Sequence, residues 1–230
     1  MPDQKEIYSR YADKYDLIIS RQDYQQNVHP AINQIMPLDS LDVVELGAGT
    51  GWLTSMLAPV VRTIYALDTS WQMLNIANLK LRKSGLQNWH IAIADHRNLP
   101  IESQRADLTI SGWSMGALFA WNKETWENEL NRAFVEMKRV LRPGGTMILL
   151  EQLGAGCETP DIRGSITDYF DFLDRMGFAS TWIRTDFRFT SLTEAESLTD
   201  FFWGADLARK VVSENWVVLP ACTGIWWMKI

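Results

Sequence analysis

A glycine-rich segment, VVELGAGTG at residues 43–51, has the residue types and the spacing to bind a ligand. Its three glycines lie at alternate positions: Gly47, Gly49 and Gly51. They follow an apolar run and precede a helical pattern that begins near Trp52, which predicts a tight strand-to-helix turn. The dinucleotide-binding pattern Gly-x-Gly-x-x-Gly would need its third glycine at the position of Trp52. Glu45 suits a ligand that carries a positive group and suits a pyrophosphate poorly.

Two further carboxylates follow the next two apolar runs of the chain. Asp68 ends the second predicted strand, and Asp95 comes directly after the third. Ligands of open α/β sheets bind at the carboxyl ends of the strands, where carboxylates accept hydrogen bonds from diol and amine donors. Together with Glu45, these residues predict a cofactor site along one edge of a sheet. Asp68 alone would also fit a nicotinamide cofactor, and the missing third glycine argues against one.

The elements that must position these residues are short apolar runs that alternate with helical segments. The predicted strands are 41–46, 61–67, 89–94, 106–111 and 146–151. They are rich in leucine and β-branched residues without polar alternation, which is typical of parallel strands buried on both faces. Helices are predicted over 71–84, with Ser70 as N-cap, and over 123–141, with Asn122 as N-cap. This alternation predicts a doubly wound α/β sheet.

The two ends of the chain have a looser pattern. The first forty residues are predicted to be helical and polar, with interleaved aromatic residues. The predictions after the fifth strand are a loop over 153–164, a helix over 165–176, a strand over 178–189, a helix from Ser191 or Thr193 to about Lys210, and a last strand or hairpin over 216–230 that is broken at Pro220.

This ordered set resembles the class I S-adenosylmethionine-dependent methyltransferases, whose first motif is an acidic residue followed by Gly-x-Gly-x-Gly. The other matching segments are YALDTSWQML, AIADHRNLP, RADLTISGW and EMKRVLRPGGTMILLE. YSRYADKYD at residues 8–16 is similar to the Ala-x-x-Tyr-Asp opening of small-molecule methyltransferases related to quinone biosynthesis. The resemblance covers roughly residues 8–151, about two thirds of the chain.

The resemblance implies S-adenosylmethionine as the cofactor and a role for several residues. Asp68 would hold both ribose hydroxyls, Asp95 would accept from the adenine amino group, and the backbone of His96 would face the ring. The ring of Trp113 would line the methyl-transfer pocket. The full set of expected cofactor-binding residues is Tyr11, Tyr15, Glu45, Gly47, Ala48, Gly49, Gly51, Asp68, Thr69, Met73, Asp95, His96, Ser111 and Trp113.

The resemblance also implies a fold and a domain organisation. The expected fold is a Rossmann-like α/β methyltransferase sheet, mostly parallel with an antiparallel last strand, with helices on both faces. We expect a single domain over 1–230, divided into a helical lid over 1–40, a cofactor-binding core over 41–151, and terminal strands with an inserted helix over 152–230. Tyr11 or Tyr15 would cap the methionine end of the cofactor as part of the lid.

Composition limits the partners that we expect. The 230 residues carry a formal net charge of −6, which disfavours non-specific nucleic-acid binding. The chain has no run of about eighteen apolar residues and no signal-peptide pattern, so we expect a cytoplasmic protein that does not enter membranes. Cys157 and Cys222 have no CxxC spacing, so neither structural zinc nor a disulfide framework is expected.

The expected function is methyl transfer to a small-molecule acceptor by in-line displacement, without a metal and without an assigned catalytic residue. A methyltransferase that acts on RNA or protein is one alternative, and a catalytically inactive nucleotide-binding partner subunit is another. Glu151, just past the fifth predicted strand, has two open interpretations: it contacts the substrate or acts as a base, or it is a solvated or capping carboxylate.

Overall fold

The computed structural model describes residues 4–162, 164 and 166–230. Its strands are β1 (Asp42–Leu46), β2 (Thr63–Asp68), β3 (Trp89–Ile93), β4 (Ala106–Gly112), β5 (Leu141–Ala155), β6 (Ala179–Arg184), β7 (Phe187–Arg188), β8 (Val218–Leu219) and β9 (Ala221–Lys229). Its helices are α1 (Gln4–Arg10), α2 (Ala12–Ile19), α3 (Val28–Ile35), α4 (Trp52–Leu57), α5 (Trp71–Ser84), α6 (Met115–Trp121), α7 (Trp126–Val140), α8 (Ile166–Arg175), α9 (Leu192–Trp203) and α10 (Ala205–Ser213).

Seven strands form the main sheet, in the order β3-β2-β1-β4-β5-β9-β6. Strands β1 to β5 pair in parallel, whereas β9 is antiparallel to both β5 and β6. The chain builds outwards from β1 to β3 and then returns to place β4 on the other side of β1. This reversal makes the carboxyl ends of β1 and β4 the crevice where such sheets bind ligands. The predicted doubly wound sheet with an antiparallel last strand is confirmed.

Alternation along β1 explains why both faces of the sheet carry helices. Val43 packs with buried residues of α3 and α4, and its neighbour Val44 packs on the opposite face with buried residues of α7 and α8. Successive side chains of a strand point to opposite faces, so a continuous apolar run needs cover on both sides. The helices therefore enclose the strands and leave their carboxyl ends to form the site.

Two predicted helices differ from the structure at their ends. The helix predicted over 123–141 with Asn122 as its N-cap begins only at Trp126, after Thr125. Asn122 instead ends α6, a helix that we did not predict, and its side-chain amide donates to the carbonyl of Leu118 at 2.9 Å. The helix predicted to run to about Lys210 breaks at Gly204, whose φ of 94° lies outside the helical region. The predicted N-cap Ser70 is confirmed, since its hydroxyl accepts from the amide of Met73 at 3.3 Å.

The helices α1 and α2 pack beside α5 and α9, next to the carboxyl ends of the strands. The hydroxyl of Ser70 donates to the backbone carbonyl of Tyr8 at 3.2 Å, and Lys80 forms an ion pair with Asp16. These contacts attach the amino-terminal helices to the rim of the crevice. Residues 1–3 of the predicted lid lie outside the described residues. Within the described ranges, no helix combines the length and the apolar character that crossing a membrane requires.

Candidate functional site

The glycine turn joins β1 to α4 with a backbone that side chains would obstruct. Gly47 has a φ of 71°, and a Cβ atom there would lie 2.2 Å from the Oγ atom of Ser114. A Cβ atom on Gly51 would lie 2.8 Å from the Cβ atom of Ala77 on α5. A Cβ atom on Gly49 would make only ordinary contacts, the nearest with Cε of Met73 at 3.6 Å, and this glycine lines both cavities described below. The motif therefore packs two glycines tightly and presents the third to the crevice.

Asp68 holds the glycine turn at the carboxyl end of β2. Its Oδ2 atom accepts from the amide of Gly49 at 2.9 Å, and its Oδ1 atom accepts from the amide of Ser70 at 2.8 Å. Burial raises the pKa of the Asp68 carboxyl, while the backbone hydrogen bonds lower it. Its assignment to the ribose hydroxyls stays a prediction, and its place beside the turn supports it.

Three polar side chains, of which Ser111 is buried and Ser114 and His96 are partly buried, form a hydrogen-bonded group behind the turn. The Oγ atom of Ser114 donates to the carbonyl of Leu46 at 3.0 Å and lies 2.6 Å from the Oγ atom of Ser111 and 3.0 Å from Nε2 of His96. Burial lowers the pKa of His96 to about 4, so its ring is neutral at physiological pH. His96 lines the smaller cavity, and its ring lies beside Ser114, a side-chain contact that the sequence interpretation did not include; the role of its backbone stays a prediction.

Asp95 is held by its neighbour Arg97 rather than by the turn. The guanidinium donates to both carboxylate oxygens, at 2.7 Å from Nε and 2.6 Å from Nη2. These hydrogen bonds lower the pKa of Asp95 to about 2. Asp95 does not line either of the cavities described below, so its predicted contact with adenine stays untested.

Two connected cavities occupy the crevice. The larger has a volume of about 430 Å³ and the smaller about 70 Å³, and both are bordered by Gly47, Gly49 and Trp113. The smaller cavity also contacts Asp68, with further lining from Thr69, Met73 and His96. The larger cavity has mainly apolar and aromatic walls, which include Ile7, Ile19, Trp52, Leu53, Phe170, Phe187, Phe202 and Trp203. The two spaces therefore share part of their lining, and of the two only the smaller contacts Asp68 and His96.

Trp113, the residue directly after β4, lines both cavities. Its amide donates to the carbonyl of Leu150 at 2.7 Å, and its ring contacts Trp52 edge to face with centroids 5.5 Å apart. Its φ of 52° lies in the left-handed region that non-glycine residues seldom adopt. The indole Nε1 of Trp113 is buried and has no hydrogen-bond partner among the described residues.

Tyr8 and Tyr15 cover the crevice, and each of them lines the two cavities. Their ring centroids lie 5.5 Å apart. Tyr11 lies outside them: it contacts Phe201 and keeps 42% of its surface exposed. The prediction for Tyr11 is therefore corrected in favour of Tyr8. The reason is a break between α1 and α2 at Tyr11, the N-cap of α2, which turns its side chain away. The seven-residue spacing of Tyr8 and Tyr15 is the signal that could have indicated this pair.

Two carboxyl groups are buried in the wall of the larger cavity. Glu45 accepts from the hydroxyl of Thr54 at 2.6 Å, and burial raises its pKa to about 8. Glu151 accepts at its Oε1 atom from the amide of Gly116 at 3.0 Å and from the hydroxyl of Tyr169 at 3.1 Å. Burial raises the pKa of Glu151 to about 7. The structure thus excludes a solvated carboxyl at Glu151: this group borders the cavity and also caps the first turn of α6 at Gly116. Its partner Tyr169 could not be inferred from the sequence.

Comparison with known proteins shows which protein family part of this chain matches. Residues 43–145 match the protein family described as a methyltransferase domain, and they contain β1 to β4 with the glycine turn. These residues, somewhat less than half of the chain, are similar to a methyltransferase domain. The match includes Glu45 and Asp68 and ends where β5 begins its buried part.

Curated relatives of the methyltransferase domain carry several activities in their names. Over 144 residues, 61% of this chain, the protein is 31% identical to malonyl-[acyl-carrier protein] O-methyltransferase of Marinomonas sp.. Over 114 residues, 47% of this chain, it is 34% identical to the ubiquinone/menaquinone biosynthesis C-methyltransferase UbiE of Vibrio vulnificus. The chain spans 48% and 40% of these two relatives, which is half of their length or less.

A solved structure extends the likeness beyond the methyltransferase domain. A SAM-dependent methyltransferase from Aquifex aeolicus aligns with 99% of this chain and 94% of its own, with a TM-score of 0.55 and 14% identity. At this level of identity the likeness shows the fold alone. It covers the terminal strands and the helices that flank the core.

S-adenosylmethionine is the cofactor of this methyltransferase family, and the crevice fits it. Gly49 leaves its backbone open to the crevice, and Asp68 provides acceptors suited to the hydroxyls of a ribose. The rings of Tyr8, Tyr15 and Trp113 border the same space. Aromatic faces are favourable neighbours for the positive sulfur of this cofactor. In the described part of the chain, no three His, Cys, Asp or Glu side chains group closely enough to hold a metal ion.

Proposed function

We propose that this protein transfers a methyl group from S-adenosylmethionine to a small-molecule acceptor bound in the larger cavity. One observation carries the proposal. The glycine turn and Asp68 border a small cavity, and Tyr8, Tyr15 and Trp113 line both this cavity and a mainly apolar one of about 430 Å³. Enclosed, mostly apolar cavities with a few polar groups are typical binding sites for small molecules.

The residues of the site have separate tasks in this proposal. Asp68 and the backbone near Gly49 hold the cofactor, which supplies a methyl group on a positively charged sulfur. The rings of Tyr8, Tyr15 and Trp113 exclude water and hold the acceptor in line with that methyl group. Positioning and exclusion of water are sufficient to account for a large part of the acceleration of such a displacement.

A small acceptor is favoured over an RNA or a protein. Helices α1 and α2 lie over the cavity, so a macromolecular acceptor would have to pass Tyr8 and Tyr15 to reach it. The net charge of −6 also opposes a phosphate backbone. Transfer to RNA or protein, and cofactor binding without any transfer, are the two outcomes that would replace this proposal.

Calorimetry and a labelling screen test the proposal. The protein is titrated with S-adenosylmethionine, with its demethylated product S-adenosylhomocysteine and with NADH. We expect the two adenosyl ligands to bind and NADH not to bind. The protein is then incubated with methyl-labelled cofactor and separate small-molecule, RNA and protein fractions of a cell extract. Label in the small-molecule fraction supports the proposal, whereas label in another fraction or in none contradicts it.

A further inference from the structure

Glu151 lies in β5, just after the residues that pair with β4, and it faces Gly224 of β9. It borders the acceptor cavity, and only 7% of its surface is exposed. The amide of Gly116 and the hydroxyl of Tyr169 both donate to its Oε1 atom. A Cβ atom on Gly116 would lie 3.2 Å from Oε2, so α6 approaches the carboxyl closely at a residue without a side chain. No described residue donates to Oε2, and this atom is not among the sealed, unpartnered ones.

The charged groups that line the acceptor cavity do not suit an anionic ligand. Among the residues that the structure describes, its lining includes the carboxyls of Glu45 and Glu151 and no lysine, arginine or histidine. The titratable groups that face Glu151 from other elements are Tyr8 of α1 and Tyr169 of α8. Burial raises the pKa of both tyrosines, so both remain neutral donors at physiological pH.

We infer that Glu151 forms the acceptor-binding end of this site and receives the proton of a hydroxyl group on an uncharged, largely aromatic acceptor. This inference rests on the proposed function. The free Oε2 atom accepts the hydroxyl hydrogen, while Tyr169 and Gly116 fix the carboxyl through Oε1. The acceptor oxygen then forms its new bond to the methyl carbon, the electron pair of the breaking carbon–sulfur bond stays on sulfur, and the hydroxyl proton passes to Glu151.

The same arrangement disfavours a carboxylate as the acceptor. The malonyl group in the names of several relatives carries a free carboxylate in water, and a buried carboxylate needs a cationic or multiply donating partner. The described lining offers two carboxyl groups in its place. An ammonium acceptor is disfavoured for a different reason: an ammonium group has three donors, and the free Oε2 atom of Glu151 would satisfy one of them in a mainly apolar cavity.

Three matched probes test this substrate class without the cofactor: 2-naphthol, 2-naphthoate and 2-naphthylmethylamine, each titrated calorimetrically into the native protein at pH 7.5. We expect 2-naphthol to bind at least roughly tenfold more tightly than the other two, because its single hydroxyl donor matches the one free oxygen of Glu151, whereas the anion and the ammonium group would each be buried without enough partners. Equal or tighter binding of the anion or the amine overturns the inference. Failure of 2-naphthol to bind overturns it as well.

Variants test whether Glu151 causes the preference for 2-naphthol. Glu151→Gln should weaken 2-naphthol roughly fivefold or more, because it replaces a charged acceptor by a neutral one. Glu102→Gln, at an exposed carboxylate of the surface, should leave the affinity unchanged. Arg163 lies outside the described residues, so Arg163→Ala is measured too, and the order of the three probes should not change. A native preference for 2-naphthoate that disappears in Arg163→Ala would show a cationic acceptor site and overturn the inference.

Infrared titration measures the carboxyl directly. The difference between native protein and Glu151→Gln should contain a carboxyl that loses its proton at a pH of about 7. Tyr169→Phe removes a hydrogen bond that lowers this pKa, so the titration should move upwards while Glu151 remains present. A carboxyl that titrates in the ordinary range of glutamate, or one that Tyr169→Phe does not shift, contradicts the assigned roles.

The two proposals fail in different ways. If S-adenosylhomocysteine does not bind, the proposed function fails, whatever the naphthalene probes show. If S-adenosylhomocysteine binds and transfer to small molecules is observed, but 2-naphthoate binds best or Glu151 titrates normally, only the inference about the acceptor fails.

Discussion

The carboxylate of Asp68 accepts a hydrogen bond of 2.9 Å from the backbone amide of Gly49. The two residues lie at the ends of β2 and of the turn after β1, so this bond joins the first two motifs of the chain into one surface. It holds the carboxylate beside the glycine of the turn at which a Cβ atom would meet no close contact. Cofactor binding and the geometry of the turn are therefore coupled.

Replacement of Asp68 tests this surface. Asp68→Asn keeps the size of the side chain but removes its charge. The binding of S-adenosylhomocysteine should therefore weaken by roughly 1.5–3 kcal/mol. Calorimetry measures the loss, and circular dichroism checks that the variant is folded. Asp39→Asn, at an exposed position of a loop, is the matched control and should bind normally. Native affinity in a folded Asp68→Asn protein would show that this carboxylate does not contact the ligand.

Replacement of Asp95 tests the adenine assignment. Asp95→Ala should weaken adenosyl ligands while the sheet stays folded, because this residue lies in a loop after β3. The inosine analogue of S-adenosylhomocysteine, which has a carbonyl oxygen in place of the amino group, should bind the native protein poorly. If both analogues bind alike, Asp95 serves only its ion pair with Arg97.

The buried Glu45 should make stability depend on pH. Burial raises its pKa from 4.5 to about 8, so between these values the folded protein holds a proton that the unfolded chain has released. The free energy of unfolding should therefore fall as the pH rises from 4.5 to 8, by at most about 1.4 kcal/mol per pH unit for this group. Glu45→Gln should flatten this part of the curve in urea denaturation at several pH values. A variant curve parallel to that of the native protein would contradict the raised pKa.

The proton-accepting role of Glu151 predicts a pH dependence of the rate. A base works in its ionised form, and the pKa of Glu151 is about 7, so kcat should rise with pH through this value. Glu151→Gln should lower kcat and remove this rise, while Tyr169→Phe should shift it to higher pH. A native profile that is already flat between pH 6 and 8 would argue against proton transfer to Glu151.

The amino-terminal helices are expected to act as a lid. Tyr8 and Tyr15 border both cavities, so a bound cofactor should stabilise α1 and α2. Hydrogen exchange over residues 5–20 should slow when S-adenosylhomocysteine is added, whereas exchange in the buried centre of α7 should change little. Deletion of the segment should leave the sheet folded and abolish transfer. Slow exchange without any ligand would identify the segment as fixed scaffold instead.

Local patterns predicted the core of the fold well, because they depend on neighbours in the chain. The apolar runs around Val43 and Val44 specify strands buried on both faces, and Ser70 caps α5 as its position indicated. Asn122 shows the limit of such reasoning. It has the residue type of an N-cap, but its amide bonds back to Leu118, so it ends one helix rather than beginning another.

The sequence by itself determined the class of the sheet and the family of its first motifs, since strand periodicity, glycine spacing and carboxylates at strand ends are local properties. Only the tertiary structure decided which side chains share the cavity. Tyr8 replaces Tyr11 there because the backbone breaks between two helices. Glu151 receives Tyr169 from eighteen residues away because β5 and α8 pack together. Such contacts depend on the packing of whole elements, and the sequence around each of these residues does not indicate them.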